Sequence, residues 1–424
     1  MGRAVTCPVQ AAAAKHGSAP ALLFEGRTWT WAEADREVAA VVETLRDRGV
    51  RAGSRVRLQS GNDPAMAWTF FACGRLGAAF MPINARLTPA EVARLPVVES
   101  GDEDVLAALF TSGTTGIPKS IELTHANFDA MAAANALRLG GEASQRWLGT
   151  LPLFHIGGLA TLYRCAVYGA SIALEARFDA ARACEALDEG VTHASFVPTM
   201  LERVLEVRGA KPFRGMRAVL IGGGPMTTAT LRRARAAGLP VVQTYGLTEA
   251  CSQVTTEVLE AADGTTAGPA MPGIEVRIAE PDASGVGEIE VSGPTIAKGL
   301  GPWLRTKDLG RLDDQGRLTI FARRMDLILT GGENVYPAEV EAALKEHPSI
   351  RDVAVAPRAD REWGQVPVAV VVAGDVDDAS LTAWARERLA SFKVPRAWLR
   401  VESVPRNATG KIDRLQLRAI VDAS

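Results

Sequence analysis

The sequence predicts an α/β fold in two parts: a large N-terminal layered α/β domain with an added β-unit, over residues 1–324, and a small C-terminal α+β domain, over residues 325–424. Strand-like and helix-like runs alternate along the N-terminal part, which is typical of a layered domain. Period-two alternation with Pro and Gly turns indicates an antiparallel β-unit at residues 268–296. At residues 323–327 the pattern changes, which places the domain boundary there.

Length and composition agree with this architecture and exclude several others. At roughly 150 residues per domain, a chain of 424 residues is expected to form two or three domains. The contents of 47% hydrophobic and 23% charged residues exclude a long disordered chain, a collagen and a coiled coil as the main architecture. The formal net charge of −2 gives no overall basic field, so no nucleic-acid partner is expected.

The sequence shows no signal for export or membrane insertion. The first residues lack the apolar core of a signal peptide, and His155 and Arg164 interrupt the longest apolar stretch, residues 151–174, before it reaches the ~18 apolar residues of a membrane span. The five cysteines are scattered without CxxC spacing, which argues against a zinc site or a disulfide framework. We expect a cytoplasmic protein, and the sequence leaves open whether it forms a homodimer.

The N-terminal elements follow in a regular order. Residues 22–31 are expected to form a hairpin with its turn at Glu25-Gly26. Ala32–Arg48 is expected to be a helix, because its apolar residues recur at helical spacing and Gly49 ends the pattern. The further elements expected in this part are the helices Asp63–Leu76 and His125–Leu137 and the strands Val56–Gln59, Ala79–Pro82, Val105–Thr111, Ser171–Leu174, Ser195–Val197, Arg217–Ile221 and Val241–Thr244.

The C-terminal part is expected to be a compact unit of about a hundred residues, which is enough for its own hydrophobic core. Its expected elements are the helix Pro337–Glu346, the strands Asp352–Ala356 and Val366–Ala373, and the helix Leu381–Ala390.

A loop rich in Ser, Thr and Gly lies in the segment FTSGTTGIPK, residues 110–119, which we interpret as strand, loop and helix. Its glycines let backbone N–H groups point inward, its hydroxyls add donors and Lys119 adds a positive charge, so the loop is suited to a polyphosphate. It is not a Walker loop, because Pro118 precedes the lysine. The alternative is a flexible surface loop. The candidate phosphate-binding residues are Thr111, Ser112, Gly113, Thr114, Thr115, Gly116 and Lys119.

Five motifs in order resemble those of the adenylate-forming superfamily, which includes acyl-CoA synthetases, aryl-CoA ligases and peptide-synthetase adenylation domains. They are TSGTTGIPK (111–119), YGLTE (245–249), TKDLG (306–310), RRMDLILTGGENVYP (323–337) and PRNATGK (405–411). The resemblance implies that ATP, Mg²⁺ and coenzyme A bind, and that a carboxylic acid is activated as acyl-AMP and then transferred to the thiol. Ser120, Lys307 and Met325 depart from the family's usual residues.

The resemblance also implies roles for individual residues. The expected catalytic residues are Lys411, Thr248, Glu249 and His155, with Glu249 as the Mg²⁺ ligand. The expected nucleotide contacts besides the phosphate loop are Gly222, Gly223, Gly224, Tyr245 and Gly246 near adenine, and Asp308 and Arg323 at the ribose. Gly331 and Gly332 are expected to border the coenzyme A thiol. The structural alternatives are a helix-start position for Glu249, a core position for Tyr245, a turn for Asp308, a solvated loop for Lys411, and packing rather than nucleophilic attack for Cys251.

The segments PLFHIGGL (152–159), GGGP (222–225), THASFVPT (192–199) and WGQVP (363–367) resemble the o-succinylbenzoate–CoA ligases of this superfamily. Their acid is an aromatic dicarboxylate, so one carboxylate must stay bound while the other reacts. The candidates to bind it are Ser195, His155 and Arg203, and Gly246 is a further expected substrate contact. Arg203 fits a solvated helix face equally well.

Two other functions remain open from the sequence. One is an aryl- or short-acyl-CoA ligase with a different acid. The other is a non-catalytic nucleotide-binding relative, against which the retained Lys119, Glu249, Asp308 and Lys411 argue.

The two-domain layout leads to a prediction for Lys411, which lies on the small domain whereas the phosphate loop lies on the large one. In the family the small domain rotates between the two half-reactions, so this lysine serves only the first. Lys411→Ala should therefore abolish adenylate formation and spare thioester formation from preformed acyl-AMP. Single-turnover assays of each half-reaction measure this, and equal loss in both would contradict it.

Overall fold

The protein is described here by a computed structural model that covers residues 7–96, 101–112, 118–224, 226, 228–281, 285–322, 328–335, 337–405, 412 and 414–424. The α-helices in these residues are α1 (Pro8–His16), α2 (Trp31–Asp47), α3 (Pro64–Leu76), α4 (Pro89–Ala93), α5 (His125–Leu139), α6 (Ile156–Tyr168), α7 (Ala180–Asp188), α8 (Pro198–Arg208), α9 (Thr228–Ala236), α10 (Pro337–Lys345), α11 (Asp378–Arg388) and α12 (Arg414–Asp422).

The strands are β1 (Pro20–Phe24), β2 (Arg27–Thr30), β3 (Arg55–Ser60), β4 (Ala79–Asn84), β5 (Val105–Ser112), β6 (Pro118–Thr124), β7 (Arg146–Gly149), β8 (Ser171–Leu174), β9 (His193–Phe196), β10 (Ala218–Ile221), β11 (Val241–Leu247), β12 (Ser252–Thr256), β13 (Glu275–Ala279), β14 (Gly287–Ser292), β15 (Leu304–Leu312), β16 (Leu318–Ala322), β17 (Ile328–Thr330), β18 (Glu333–Val335), β19 (Ile350–Asp360), β20 (Gly364–Ala373) and β21 (Ala397–Arg400). The α/β fold class predicted from the sequence is confirmed.

The predicted N-terminal hairpin and helix are both present. Glu25 (φ 47°) and Gly26 (φ 79°) both have positive φ, as the type I′ turn between β1 and β2 requires. Helix α2 begins with a capping box, in which the Thr30 hydroxyl accepts from the Glu33 backbone N–H and the Glu33 carboxylate accepts from the Thr30 N–H. These local signals fix the ends of the elements before any tertiary packing.

The segment that carries Lys119 differs from the prediction. Residues 118–124 form β6, which lies beside β5, and helix α5 begins only at His125. Leu123 near the end of this strand is fully buried, whereas Lys119 near its start is exposed. The expected order of strand, loop and helix within residues 110–119 was therefore wrong, whereas the helix predicted to begin at His125 is confirmed.

The chain forms two compact units. The first comprises Met1–Asn84, Val98–Leu109 and Ser120–Phe321, and the second comprises Ala85–Val97, Phe110–Lys119 and Ala322–Ser424. The boundary predicted at 324/325 lies outside the described residues and stays a prediction.

The first unit contains an eight-stranded sheet in the order β12-β11-β10-β9-β7-β8-β1-β2. Strands β7, β8, β9, β10 and β11 pair in parallel, and β12 pairs antiparallel with β11. A second sheet has the order β3-β4-β5-β6, and the predicted β-unit forms a third, β13-β14-β15-β16. Among the described residues, no helix has the length and hydropathy needed to cross a membrane.

The second unit is built on β19 and β20, which pair antiparallel along nearly their whole length. Val353 and Val355 of β19 enter one core cluster, whereas Ala354 and Ala356 enter the cluster on the opposite face. A strand buried on both faces carries a nearly continuous apolar run rather than strict alternation. This explains the sequences VAVAP and VPVAVVVA in these two strands.

A buried ion triad joins α4 to the rest of the second unit. The Lys393 ammonium lies 2.7 Å from the Glu339 carboxylate and 3.1 Å from that of Glu91. Burial by itself would lower the pKa of Lys393, but the two carboxylates together outweigh it and raise the pKa above its ordinary value. Lys393 therefore keeps its positive charge at neutral pH.

We expect Lys393→Met to destabilise the protein, because it leaves two buried carboxylates without their cation. Removing one partner of a buried ion pair typically costs about 3–5 kcal/mol. Urea unfolding measures this, with Lys345→Met on the exposed side of α10 as the control. Because the pKa of Lys393 is raised, its contribution is complete below the ordinary lysine pKa of about 10.4 and disappears only at higher pH. A loss no greater than that of the control would contradict the prediction.

Candidate active site

The carboxyl ends of four parallel strands meet at one edge of the large sheet. Strands β7, β9, β10 and β11 run in the same direction, so the segments that follow them share this edge. These segments contain His155, Val197, Gly222–Gly224 and Thr248-Glu249. Ligands of open α/β sheets bind at such an edge. The large sheet therefore brings together the segments PLFHIGGL, GGGP and YGLTE, whereas TKDLG lies in β15 of a separate sheet.

The three glycines after β10 form a close turn. The Gly222 N–H donates to the Phe196 carbonyl at 3.2 Å, which holds the turn against the end of β9. Gly223 has φ 80°, and a Cβ there would lie 3.1 Å from Val197 Cγ1. A side chain in this turn would be strained and crowded, so glycine keeps the backbone accessible at the expected adenine position.

Tyr245 requires a correction. We expected its ring to offer a face to adenine, but the side chain is 1% exposed and packs in a cluster with Ala250 and Val254. The core alternative is therefore the position that the structure shows. Its hydroxyl donates to Asp308 Oδ2 at 2.6 Å. Tyr245 thus connects the core of the first unit to the residue expected at the ribose.

Asp308 lies at an inward-facing position of β15. Along Leu304–Leu312 the buried and exposed residues alternate, and the carboxylate occupies a buried position while Leu309 is exposed. A buried carboxylate beside an exposed leucine is the opposite of the usual arrangement in a strand. It indicates that Asp308 is a functional or hydrogen-bonded carboxylate rather than a turn residue. The preceding Lys307 has φ 64°, a left-handed conformation that glycine adopts more readily than lysine.

Thr248 and Glu249 lie in a 3₁₀ turn directly after β11. Both side chains are half-buried, and the Glu249 carbonyl accepts from the Ala297 N–H at 2.8 Å. The following Cys251 (φ 50°) and Ser252 (φ 95°) both have positive φ, a strain that persists only where the surroundings enforce it. Within the part of the chain that the structure describes, no cluster of three metal-ligating side chains exists. A single carboxylate suits Mg²⁺, which usually keeps several waters.

Cys251 behaves as the packing residue that we considered more plausible than a nucleophile. Its side chain is fully buried, and burial raises the pKa of its thiol far above the ordinary value. A thiol that stays protonated is a poor nucleophile.

His155 is the N-terminal cap residue of α6 and is half-buried. The loop before it is fixed by Asn62, whose amide donates to the Leu151 carbonyl at 3.0 Å and accepts from the Leu153 N–H at 2.8 Å. The imidazole lies 4.8 Å from the Phe154 ring, between ring centroids. The structure thus holds His155 at the edge where β7 ends.

The three candidates for the second carboxylate lie in different surroundings. Ser195 is buried in β9 at 8% exposure, whereas Arg203 is exposed on α8 with its guanidinium carbon 5.8 Å from the Phe178 ring centroid. A buried hydroxyl and an exposed guanidinium bind a carboxylate with very different strengths. The role of Arg203 stays a prediction.

Arg164 is the residue that the sequence analysis missed. Its side chain is 2% exposed in the middle of α6, and its Nη2 donates to Thr161 Oγ1 at 2.9 Å and to Ser195 Oγ at 3.4 Å. Nη1 donates to Gln253 Oε1 at 3.3 Å. Among the described residues, no carboxylate forms an ion pair with Arg164, and its Nε has no hydrogen-bond acceptor. Burial lowers the pKa of this guanidinium from its ordinary value.

The surroundings of Arg164 are otherwise aromatic and neutral. Its guanidinium carbon lies 4.0 Å from the Trp147 ring centroid, a cation–π contact. His193 stacks on the same tryptophan at 4.7 Å. Burial and the charges of Arg217 and Arg164 lower the pKa of His193 to about 4, so it is neutral at physiological pH. A sequence signal for Arg164 did exist, because it is the charge that interrupts the longest apolar stretch.

Other predicted residues lie elsewhere or outside the described parts. Thr111 is half-buried at the end of β5, and Lys119 is exposed in β6. Gly331 (φ 56°) and Gly332 (φ 84°) lie between β17 and β18, and a Cβ on Gly331 would lie 2.5 Å from the Trp363 ring, so that space is occupied by tryptophan. Gly113, Thr114, Thr115, Gly116, Arg323, Met325 and Lys411 lie outside the described residues, as does the side chain of Ser112.

Two family models match the chain. The AMP-binding enzyme model matches residues 9–96 and 94–300, and the AMP-binding enzyme C-terminal domain model matches residues 339–411. Among curated relatives, a 2-succinylbenzoate–CoA ligase of Bacillus velezensis is 35% identical over 94% of this chain and 95% of its own length. One of Bacillus licheniformis is 41% identical over 74% of this chain and 70% of its own.

Solved structures give the same similarity. The o-succinylbenzoate CoA synthetase from Bacillus subtilis, bound to a product analogue, matches with a TM-score of 0.90 and 32% identity over 97% of this chain and 98% of its own. The same enzyme with ATP and a magnesium ion matches with a TM-score of 0.71 and 31% identity over 97% and 99%.

Gly246 provides a test of the site's geometry. A Cβ at this position would lie 1.8 Å from the Ser252 carbonyl oxygen, and a backbone group cannot move away as a flexible side chain can. Gly246→Ala should therefore destabilise the protein by about 1–3 kcal/mol or more, as for overpacking, and weaken ATP binding. Thermal unfolding and calorimetric titration with ATP measure both effects.

The matched control for Gly246→Ala is Gly61→Ala. A Cβ at Gly61 meets no heavy atom closer than 3.9 Å, and φ is not positive there. Equal behaviour of the two variants would contradict the crowding argument.

Proposed function

The chain belongs to the AMP-binding enzyme family and, within it, to the 2-succinylbenzoate–CoA ligases, and from this premise we propose that it joins o-succinylbenzoate to coenzyme A. The reaction has two steps. The acid attacks the α-phosphate of ATP to give an acyl-AMP and pyrophosphate, and the thiol of coenzyme A then displaces AMP. An ionised carboxylate does not react with a thiol at a useful rate because oxide is a poor leaving group, whereas AMP leaves readily. The enzyme is an acid–thiol ligase that uses ATP and Mg²⁺.

The residues at the sheet edge suit the first step. Two anions must approach each other in it, so catalysis depends on charge stabilisation and positioning. Glu249 would hold Mg²⁺, Thr248 would donate to the α-phosphate, and Asp308 would accept from the ribose hydroxyls. Lys119 and the loop would bind the departing phosphates, and Lys411 would bridge the carboxylate and the α-phosphate.

The buried guanidinium of Arg164 is the observation that favours a dicarboxylic acid as the substrate. Burying an ionised group without a charge partner is costly, and a bound carboxylate would remove much of that cost. A guanidinium can donate two parallel hydrogen bonds to one carboxylate. Because Ser195 already contacts Arg164, the two residues would hold the non-reacting carboxylate together. A monocarboxylic acid would leave this cation uncompensated, which argues against the generic aryl- or short-acyl-CoA ligase.

Several finer expectations belong to the same proposal. We propose that the protein works in the cytoplasm without a nucleic-acid partner, and that Gly331 and Gly332 border the path of the coenzyme A thiol. A homodimer is compatible with this function and is tested by light scattering.

The test compares two acids in coupled pyrophosphate-release and thioester assays. Wild type should use o-succinylbenzoate well and a benzoylpropionic acid, which lacks the second carboxylate, poorly. Arg164→Met should lose about 2–5 kcal/mol in kcat/KM for the diacid, as for a broken buried charge pair, and little for the monoacid. If wild type uses both acids equally, the o-succinylbenzoate proposal fails and another aryl-CoA ligase replaces it.

Thermal stability distinguishes this role of Arg164 from a structural one. Replacing a buried ion by an apolar side chain is often neutral or stabilising, so Arg164→Met should keep its melting temperature. Arg55→Met is the matched control, because Arg55 is also buried but pairs with Glu122 at 2.7 Å. That control should lose stability and keep the preference for the diacid. The same assays on His155→Ala and Arg203→Ala test the two residues chosen from the sequence.

A further inference from the structure

The amide side chain of Gln253 contacts both Arg164 and a second buried amide. Gln253 is 5% exposed on β12, and its Oε1 accepts from Arg164 Nη1 at 3.3 Å and from Asn135 Nδ2 at 2.8 Å. Its Nε2 donates to Thr256 Oγ1 at 2.8 Å. Both ends of the amide are therefore bonded, and the side chain has one defined orientation.

The amide holds the guanidinium without neutralising it. Within the described part of the chain, Arg164 donates to the Gln253 amide and to the Thr161 and Ser195 hydroxyls and lies over the Trp147 ring, and all of these groups are neutral. A glutamate at position 253 would reach the same guanidinium nitrogen and form a buried ion pair. The choice of an amide instead of a carboxylate at this position therefore decides whether the cluster remains cationic.

The backbone of Gln253 lies against the nucleotide motif. Gln253 pairs with Gly246 in the β11–β12 ladder, where the register shifts between Tyr245 and Gly246. A Cβ on Gly246 would lie 3.1 Å from the Gln253 Cα. The residue that orients Arg164 is thus packed against the strand that leads to Thr248 and Glu249.

We propose that Gln253 is a positioning residue that orients the Arg164 guanidinium toward the second carboxylate of the acid and leaves its charge available. This inference rests on the proposed function, because it concerns the acid that the site selects. Gln253 acts through Arg164 and does not itself touch the reacting atoms. It makes the preference for a dicarboxylic acid depend on a neutral side chain that lies outside the family motifs identified in the sequence.

The direct test is Gln253→Glu, which introduces an internal carboxylate for Arg164. KM for o-succinylbenzoate should rise roughly 30-fold or more, as when a buried charge contact is lost. KM for benzoylpropionic acid and for ATP should change by less than about threefold, since neither depends on the free charge of Arg164. The melting temperature should hold or rise, because the guanidinium gains a partner.

Two further variants separate this role from general damage. Gln253→Leu removes the acceptor but leaves the charge, so its diacid KM should rise less than that of Gln253→Glu. Gln145→Glu is the matched control: Gln145 is also buried and accepts from Trp147 Nε1 at 3.1 Å, but it makes no hydrogen bond to Arg164 among the described contacts. It should keep the wild-type ratio of KM values for the two acids.

The outcomes distinguish the inference from the function on which it rests. If Gln253→Glu keeps the wild-type preference for the diacid, or loses kcat and KM equally for both acids, the positioning role is wrong. If wild type itself forms no thioester from o-succinylbenzoate, the proposed function is wrong. A larger loss in Gln253→Leu than in Gln253→Glu would also overturn the inference, because it would show that packing rather than charge is responsible.

Discussion

A guanidinium buried among neutral groups is the constraint around which the acid side of the site is organised. Arg164 lies within α6, and Trp147, Ser195 and Gln253 approach it from three different strands. A charge in a low-dielectric interior interacts strongly with any carboxylate that reaches it, because little water competes. Burial of the unpaired charge costs free energy when no acid is bound. A second carboxylate on the acid would offset part of this cost, so a dicarboxylic acid should bind more tightly than a monocarboxylic acid.

The second unit shows the opposite solution to the same physical problem. Lys393 is buried to a similar degree, but it has two glutamates as partners, one of them brought by α4 from a distant part of the sequence. A fully paired cation contributes to the integrity of a domain and has no charge left for a ligand. We interpret this contrast as a distinction between two roles: the paired lysine supports the fold, whereas in the proposed function the arginine binds the substrate.

The nucleotide side of the site depends on backbone geometry more than on charge. A Cβ at Gly246 would collide with the Ser252 backbone, and a Cβ at Gly222 or Gly223 would crowd the side chain of Thr244 or Val197. The positive φ angles of Cys251 and Ser252 bend the chain directly after Glu249. Such strain persists only because the paired strands β11 and β12 enforce it. The same pair of strands contains Gln253, so in the proposed function the acid contact and the nucleotide motif share one structural support.

The sequence by itself determined the α/β class, most element positions and the ordered motifs, because periodicity, capping residues and turn glycines are local signals. It also singled out Thr248 and Glu249, which directly follow β11, and Asp308, which lies within β15, and their roles at the nucleotide stay predictions. Only the tertiary structure decided that residues 118–124 form a strand, that Tyr245 is buried on Asp308, and that Arg164, Ser195 and Gln253 meet. These contacts join residues that are far apart in the sequence. The pattern of apolar residues in a single sequence predicts local elements, but it does not show which distant side chains become neighbours.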